Sequence, residues 1–171
     1  MMEIAPLMMS SEILGPACVA QAQTPTELHA AFEIRHRVFV VEQHVALDLE
    51  RDEDDSLATH FLATVQGVPV GTARLVSKGG GRAKVGRVAV LASARGLGIG
   101  RALMEAIHQL GVPPLKGAAG GVGEPITGAR ELYLDAQVQV IPFYESLGYV
   151  CEGDEFEDCG ILHRRMTRCL A

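Results

Sequence analysis

The chain has 171 residues, a length that favours one domain with a substantial buried core. Hydrophobic residues make up 48% of it, which excludes an intrinsically disordered chain. The formal net charge is −6, and no dense run of Lys or Arg is present to neutralise phosphates, so we expect no nucleic-acid partner.

The N-terminal residues and the cysteines bear on location. Residues 1–10 lack the basic region and the long apolar region of a signal peptide, so residues 1–16 are predicted to form a flexible leader. No stretch of the sequence reaches the length of a membrane-spanning helix, so no membrane partner is expected. The four cysteines are Cys18, Cys151, Cys159 and Cys169. They lack the C-x-x-C spacing of a zinc site, so we expect a cytoplasmic protein with free thiols and no metal.

The first predicted elements are a strand at residues 17–23 and a helix with Thr24 or Thr26 as its N-cap. The apolar face of this helix is predicted to contain Leu28, Phe32, Ile34 and Phe39. Residues 47–57 follow as a charge-rich loop, whose acidic side chains fit either a solvated surface or a catalytic base. Three strands are predicted next, at residues 60–65, 68–76 and 84–90.

The segment from Val88 to Leu103 runs from a strand, through a loop with glycine at every second position, into a helix. The apolar residues of that helix recur with a period of 3.6: Ile99, Leu103, Ile107 and Leu110. The loop glycines let the backbone approach a ligand, and the N–H groups of the first helical turn favour a phosphate. The alternative is a strand–helix connection in which glycine serves only tight packing.

Two common phosphate-binding motifs are excluded by single residues. A dinucleotide motif, G-x-G-x-x-G, would place its last glycine at Arg101 or Leu103. A nucleotide P-loop would need Lys at Arg101 and Ser or Thr at Ala102. The motif that remains is Arg95-x-x-Gly98-x-Gly100.

The C-terminal third is predicted to complete an alternating pattern of strands and helices. Residues 112–129 are rich in Pro and Gly and are predicted to form a flexible loop. The elements predicted after it are a strand at residues 132–137, a helix within residues 140–149, and strands at residues 150–157 and 161–170. The predicted order is therefore βα-βββ-α-β-α-ββ.

Several of these motifs resemble those of the GNAT acetyltransferases. Arg95-x-x-Gly98-x-Gly100 is similar to their acetyl-CoA pyrophosphate loop, and Phe143-Tyr-Glu-Ser-Leu-Gly-Tyr149 is similar to a string in a later helix of the family. Four further strings resemble those of the ElaA-like subgroup of this family, at residues 34–43, 52–60, 134–137 and 156–163. The resemblance covers residues 17–170. It implies an α/β fold in which helices flank both faces of a central, twisted, mixed sheet, as one domain over residues 17–171.

The resemblance also implies a function. The expected activity is that of an N-acetyltransferase, which transfers an acetyl group from acetyl-CoA to a primary amine by direct attack in a ternary complex. The acceptor would be a small-molecule amine or a lysine-like group, and homodimers are frequent in such families. Two alternatives stay open: a non-catalytic CoA-binding sensor or structural module, and a protein-lysine or N-terminal acetyltransferase.

By position, the resemblance assigns the CoA contacts to the end of one strand, the loop and two later residues: Val88, Ala89, Val90, Arg95, Gly96, Leu97, Gly98, Ile99, Gly100, Arg101, Gln137 and Tyr144. The Val90 N–H is the expected oxyanion donor and Tyr144 the expected general acid, unless Tyr144 only packs in the core. Glu42 is the expected general base, with Asp52, Asp55, His60 and Asp135 as competitors. The expected acceptor contacts are Glu42, His60, Asp135 and His163.

Overall fold

Seven strands of the computed structural model, which describes residues 15–109 and 129–170, form one mixed sheet. They are β1 (Cys18–Gln21), β2 (Thr59–Val65), β3 (Val68–Ser77), β4 (Arg82–Val90), β5 (Glu131–Gln137), β6 (Val150–Asp158) and β7 (Ile161–Cys169). Their order across the sheet is β1-β2-β3-β4-β5-β7-β6. The predicted leader and the predicted loop at residues 112–129 lie almost wholly outside the described residues.

The helices are α1 (Pro25–Arg35), α2 (Leu47–Glu50), α3 (Ile99–Gln109) and α4 (Ile141–Glu145) in the described ranges. A π-helical segment, His36–Glu42, continues α1, and α2 and a 3₁₀ turn, Glu53–Ser56, lie within the predicted charge-rich loop. The observed order of the strands and of α1, α3 and α4 agrees with the prediction. No helix in the described part of the chain is long and apolar enough to cross a membrane.

The start of α1 is fixed by a capping box. The Thr24 hydroxyl accepts a hydrogen bond from the Glu27 N–H at 3.2 Å, and the Glu27 carboxylate accepts from the Thr24 N–H at 2.9 Å. The predicted apolar face is only partly correct, because the buried apolar residues of α1 and the segment after it are Ala31, Ile34 and Val38. Phe32 instead lies beneath two guanidinium groups, and the widened π-helical turn shifts the residues that follow.

Helices lie on both faces of the sheet, as predicted. Along β2, Phe61 and Ala63 pack in the same cluster as Leu103 of α3, while Leu62 between them packs with Ile34 of α1. On the α3 face, Gly71 of β3 admits the helix closely: a Cβ atom there would lie 2.8 Å from Ile99 Cγ2.

The sheet opens between its two parallel strands. β4 and β5 pair only over Arg82–Lys84 and Glu131–Tyr133, although β4 continues to Val90 and β5 to Gln137. Near the middle of β4, Arg87 has a φ of +52°, and the β3–β4 register shifts there by one residue. The C-terminal halves of β4 and β5 are therefore not paired with each other, and they leave a cleft between them. These are called the unpaired halves below, although each still pairs with its other neighbour, β3 or β7.

Most residues of the predicted charge-rich loop are exposed, as a solvated surface would be. Three of its acidic residues nevertheless bind buried arginines: Glu50, Asp52 and Asp55. Arg35 is fully buried and binds Glu50 and, at 2.6 Å, Asp55; Arg74 binds Asp55 at 2.8 Å and also Asp52. Burial alone would raise the pKa of Asp55, but the hydrogen bonds from Arg35 and Arg74 outweigh it and hold that pKa well below its usual value. The loop is thus anchored to α1 and β3 by charge.

Replacing Arg35 with Leu should lower the free energy of unfolding by about 3–5 kcal/mol, because it leaves the Glu50 carboxylate buried without its main partner. The matched control is Lys78→Leu, which removes a partner of Asp54 in a half-exposed ion pair and should cost less than about 1 kcal/mol. Urea denaturation monitored by circular dichroism measures both. Similar losses for the two variants would contradict a structural role for the buried pairs.

A second polar group joins the end of α3 to β7. The Arg168 guanidinium donates to His108 Nδ1 at 2.6 Å, and His108 Nε2 lies 3.0 Å from the Tyr149 hydroxyl. Burial, and then the charge of Arg168, lowers the pKa of His108 to about 4. The unfolded chain, whose histidine pKa is about 6.5, therefore binds more protons than the folded one between these two values.

We accordingly expect stability to fall as the pH is lowered from about 6.5 towards 4, and His108→Gln to remove part of that fall. The measurement is the melting temperature of both proteins over this pH range. Parallel curves for the wild type and His108→Gln would show that His108 does not titrate in this way. Other histidines and carboxylates titrate in both proteins, so the difference between the curves isolates His108.

Candidate active site

A cavity of about 900 Å³ occupies the cleft between β4 and β5. Its walls come from the unpaired halves of both strands, the loop before α3, the π-helical segment, α4 and the β6–β7 hairpin. Its size lies within the range of small-molecule sites. The cavity thus brings together segments that are far apart in sequence.

One end of the cavity is the glycine loop. Gly96 and Gly98 have φ values of +78° and +77°, which only glycine adopts readily. The first hydrogen bond of α3 is donated by the Ala102 N–H to the Gly98 carbonyl at 2.9 Å, so the N–H groups of Ile99, Gly100 and Arg101 precede the helical ladder. These backbone donors, at the positive end of the helix dipole, suit an anionic group such as a pyrophosphate.

Most residues predicted to contact CoA line this cavity, including Val88, Ala89, Val90, Gln137 and Tyr144. The exception is Leu97, whose side chain packs against the hydrophobic core. Among the predicted acceptor contacts, Glu42, Asp135 and His163 line the cavity. His60 does not: it is 4% exposed, packs edge-on against Phe32 and lies 3.0 Å from the Asp55 carbonyl oxygen.

The loop is joined to the π-helical segment by an ion pair. Arg95 donates to both carboxylate oxygens of Glu42, at 2.7 and 2.8 Å, and its Nε donates to the Val90 carbonyl at 3.1 Å. The hydrogen bonds from Arg95 lower the pKa of Glu42. A carboxylate with a lowered pKa is a weaker base, so this contact counts against Glu42 as the general base. The assignment of Glu42 to that role stays a prediction.

Tyr144 is buried on α4, and its side chain lines the cavity. No hydrogen bond from its hydroxyl to another described residue is found, whereas the hydroxyl of the neighbouring Tyr149 is engaged by His108 at 3.0 Å. Burial raises the pKa of Tyr144, so the hydroxyl keeps its proton over the working pH range. Tyr144 thus presents a proton donor that the fold itself does not use.

Gln43 was not predicted. Its side-chain oxygen accepts from Gln137 Nε2 at 2.9 Å, and the Gln137 oxygen accepts from Gln139 at 3.0 Å. These amides connect the segment after α1 with the end of β5, along the wall of the cavity. The sequence feature that could have indicated Gln43 is its position directly after Glu42, in the string that resembles the ElaA-like subgroup.

The acidic side chains of the cavity wall are largely neutralised. Asp135 binds Lys84 and Arg165, each at 2.8 Å. Burial alone would raise the pKa of Asp135, but these partners lower it overall. Arg87 extends from the β4 bulge to the Glu50 carbonyl at 3.1 Å, next to the buried Glu50 carboxylate. The other predicted bases, Asp52 and Asp55, do not line the cavity and are held in ion pairs with Arg74 and Arg35.

Comparison with known proteins places the chain in a family. A family model described as an acetyltransferase (GNAT) domain matches residues 56–151. The chain is 36% identical over 148 residues to the uncharacterized N-acetyltransferase YjcF of Bacillus subtilis (strain 168), which covers 86% of this chain and 96% of the relative.

Solved structures give the same result. An acyl-CoA N-acyltransferase from Pseudomonas aeruginosa superposes with a TM-score of 0.72 at 28% identity, over 91% of this chain and 99% of that one. Escherichia coli ElaA superposes with a TM-score of 0.69 at 25% identity, over the same 91% and 99%. The predicted resemblance, the fold class and the assignment as an acyltransferase are confirmed, and the family implies use of an acyl-CoA donor. The chain belongs to the GNAT acetyltransferase family.

Proposed function

We propose that the protein transfers the acetyl group of acetyl-CoA to the nitrogen of a primary amine, by direct attack in a ternary complex. The observation that carries this proposal is the single cavity that joins the glycine loop before α3 to the Tyr144 side chain through the unpaired half of β4. The cavity would thus bring together a loop that binds an anion, the backbone groups of β4 that do not pair with β5, and a proton donor. Residues 17–171 would form one domain around it.

The donor would be held at the glycine loop. The N–H groups at the start of α3 would bind the pyrophosphate of CoA, with Arg101 beside them. The pantetheine arm would follow Val88, Ala89 and Val90 towards the opening between β4 and β5. The Val90 N–H would stabilise the oxyanion that forms when the amine attacks the thioester carbonyl.

The C–N bond would form as the carbonyl electron pair moves to oxygen, and the C–S bond would break as that pair returns. Tyr144 would donate its proton to the leaving sulfur and recover one from the nitrogen of the collapsing intermediate. A cysteine nucleophile is less suitable. The cavity-lining Cys159 is exposed on the β6–β7 turn, and desolvation together with Asp158 raises its pKa, which disfavours the reactive thiolate.

The test is a calorimetric titration of the full chain with acetyl-CoA, with NAD and ATP as controls, followed by a thiol-release assay over a panel of small primary amines. We expect saturable binding of acetyl-CoA alone and CoA release that depends on the amine. Binding without transfer to any amine would favour a CoA-binding sensor. Absence of binding would overturn the donor assignment.

A further inference from the structure

We propose that His163 is the general base that removes a proton from the acceptor ammonium. This inference rests on the proposed amine acetylation and adds a residue to it. An alkylammonium, with a pKa of about 10, is almost entirely protonated at neutral pH, and only the neutral amine can attack a thioester. Some group at the acceptor end of the cavity must therefore accept this proton.

The carboxylates of the cavity are poorly suited to that role. Glu42 is held by Arg95, Asp135 by Lys84 and Arg165, and the buried Glu50 by Arg35. Protonating any of them would cost an ion pair that the fold has formed. The remaining carboxylate on the wall, Asp158, is exposed at the β6–β7 turn, where it accepts from the Cys159 thiol at 3.4 Å.

His163 differs because its hydrogen bond leaves one ring nitrogen available. Its Nδ1 lies 2.8 Å from the Ile161 carbonyl oxygen. A carbonyl can only accept, so Nδ1 carries the proton, and the neutral ring has its lone pair on Nε2. No hydrogen bond to Nε2 from the described residues is found, which leaves this lone pair for a ligand. Imidazole is also the side chain that ordinarily changes charge between pH 5 and 8.

The position of the ring suits an acceptor. His163 lies opposite Gln137 in the β5–β7 register, at the end of β5 where the two parallel strands are no longer paired, and it lines the cavity. Phe156 of β6 stacks on the ring at a centroid distance of 6.0 Å and an angle of 23°, so it lies against one face of the imidazole. The half-buried imidazole is thus oriented from two sides, by Phe156 and by the Ile161 carbonyl.

Charged side chains from β5, β7, the β6–β7 turn and the π-helical segment surround this ring. Asp135 of β5 and Arg165 of β7 share its face of the sheet and bind each other at 2.8 Å. Asp158 and Cys159 come from the turn, and Glu42, paired with Arg95, comes from the π-helical segment. Most of the charge on these side chains is therefore compensated by ion pairs with one another.

The proton balance closes without a further reactant. His163 Nε2 takes one of the three ammonium protons, and the neutral amine attacks the thioester carbon. When the C–S bond breaks, one of the two remaining nitrogen protons reaches the sulfur through Tyr144, and the other stays on the amide. The imidazolium then returns its proton to water, so the products are the amide, the CoA thiol and one released proton.

The experiment compares two acceptors of similar size, propylamine and 2,2-difluoropropylamine, with acetyl-CoA as donor. Fluorine makes the second ammonium more acidic, so that a substantial fraction of this amine is already neutral near neutral pH and needs no base. His163→Gln should lower kcat/KM about 100-fold for propylamine and less than about threefold for the fluorinated amine. A merely structural role would lower both equally, and that outcome would overturn the proposal.

Three comparisons sharpen this result. His29→Gln, an exposed histidine on α1, should leave both rates unchanged. Glu42→Gln tests the competing base, and a loss selective for propylamine in Glu42→Gln but not in His163→Gln would assign the role to Glu42. Calorimetry with acetyl-CoA should give the same affinity for His163→Gln as for the wild type. No transfer to any amine by the wild type, despite acetyl-CoA binding, would instead overturn the proposed function as a whole.

The tautomer can be tested without turnover. In ¹⁵N-detected spectra of the ¹⁵N-histidine-labelled full chain, the signals absent from His163→Ala belong to His163. We expect them to show a protonated Nδ1 and a bare Nε2 at the pH of maximal activity. A protonated Nε2 at that pH would remove the lone pair that the proposal needs.

Discussion

Gly98→Glu should weaken acetyl-CoA binding at least about 100-fold, a loss of about 3 kcal/mol. Gly98 has a φ of +77°, in a region that glutamate adopts only with strain of about 1–3 kcal/mol. A Cβ atom at this position would meet no other atom within 4 Å, so the new side chain would extend into open space at the loop. There its carboxylate would repel the pyrophosphate that the neighbouring N–H groups are proposed to bind. Calorimetric titration measures the affinity.

The matched control for this change is Gly79→Glu. Gly79 has nearly the same φ, +74°, and equally open surroundings, but it lies in the turn between β3 and β4. This variant carries the same charge and similar backbone strain, so its acetyl-CoA affinity should stay within about twofold of the wild type. Unchanged affinity in Gly98→Glu would overturn the phosphate assignment, and an equal loss in both variants would trace the effect to strain or net charge.

The parts of the fold that the sequence predicts well are those with local causes. The N-cap of α1 was predicted at Thr24 or Thr26, and it is Thr24, whose partner Glu27 is only three residues away. The strands predicted at residues 60–65 and 68–76 are observed as β2 and β3. The helix after the glycine loop is confirmed for the same reason, because Ile99, Leu103 and Ile107 recur at the helical period and are all buried.

The parts that could not be predicted depend on distant partners. Acidic residues at 47–57 fit a solvated loop in sequence, and most of this segment is indeed exposed. What the sequence does not show is that Arg35 and Arg74, from a helix and a strand that flank the segment, hold three of its carboxylates in ion pairs. The loss of pairing between β4 and β5 is equally invisible in sequence. The pairing ends at Lys84, three residues before Arg87 adopts a left-handed conformation, for which an arginine gives no local signal.

The candidate site also contains residues that the sequence predicted and residues whose roles it could not predict. The resemblance of two short strings to those of the GNAT family predicted that the glycine loop and Tyr144 belong to one site, and both line the cavity. Glu42 and His163 also line the cavity, but their hydrogen-bond partners decide what each can do. Arg95 leaves the Glu42 carboxylate paired, and the Ile161 carbonyl leaves His163 with an available nitrogen. Roles of this kind require the geometry.

Tyr144→Phe should lower kcat by about 10²-fold while acetyl-CoA affinity changes little. The substitution removes only the hydroxyl, and within the described residues that hydroxyl takes part in no hydrogen bond whose loss would weaken the fold. Phe also preserves the edge-on contacts of the ring with Phe143 and Tyr149, at 4.9 and 5.9 Å. The effect should therefore appear in turnover and not in the melting temperature. Steady-state kinetics and calorimetry on the same preparations measure the two quantities.

Tyr149→Phe is the control that separates catalysis from packing. This hydroxyl is bound by His108 at 3.0 Å, so its removal should lower stability by about 1 kcal/mol and leave kcat near the wild-type value. The two tyrosines lie next to each other in one cluster and are both buried, which makes their opposite responses informative. A Tyr144→Phe enzyme with wild-type kcat would show that solvent or another group protonates the leaving sulfur, since the ring alone would then account for this residue.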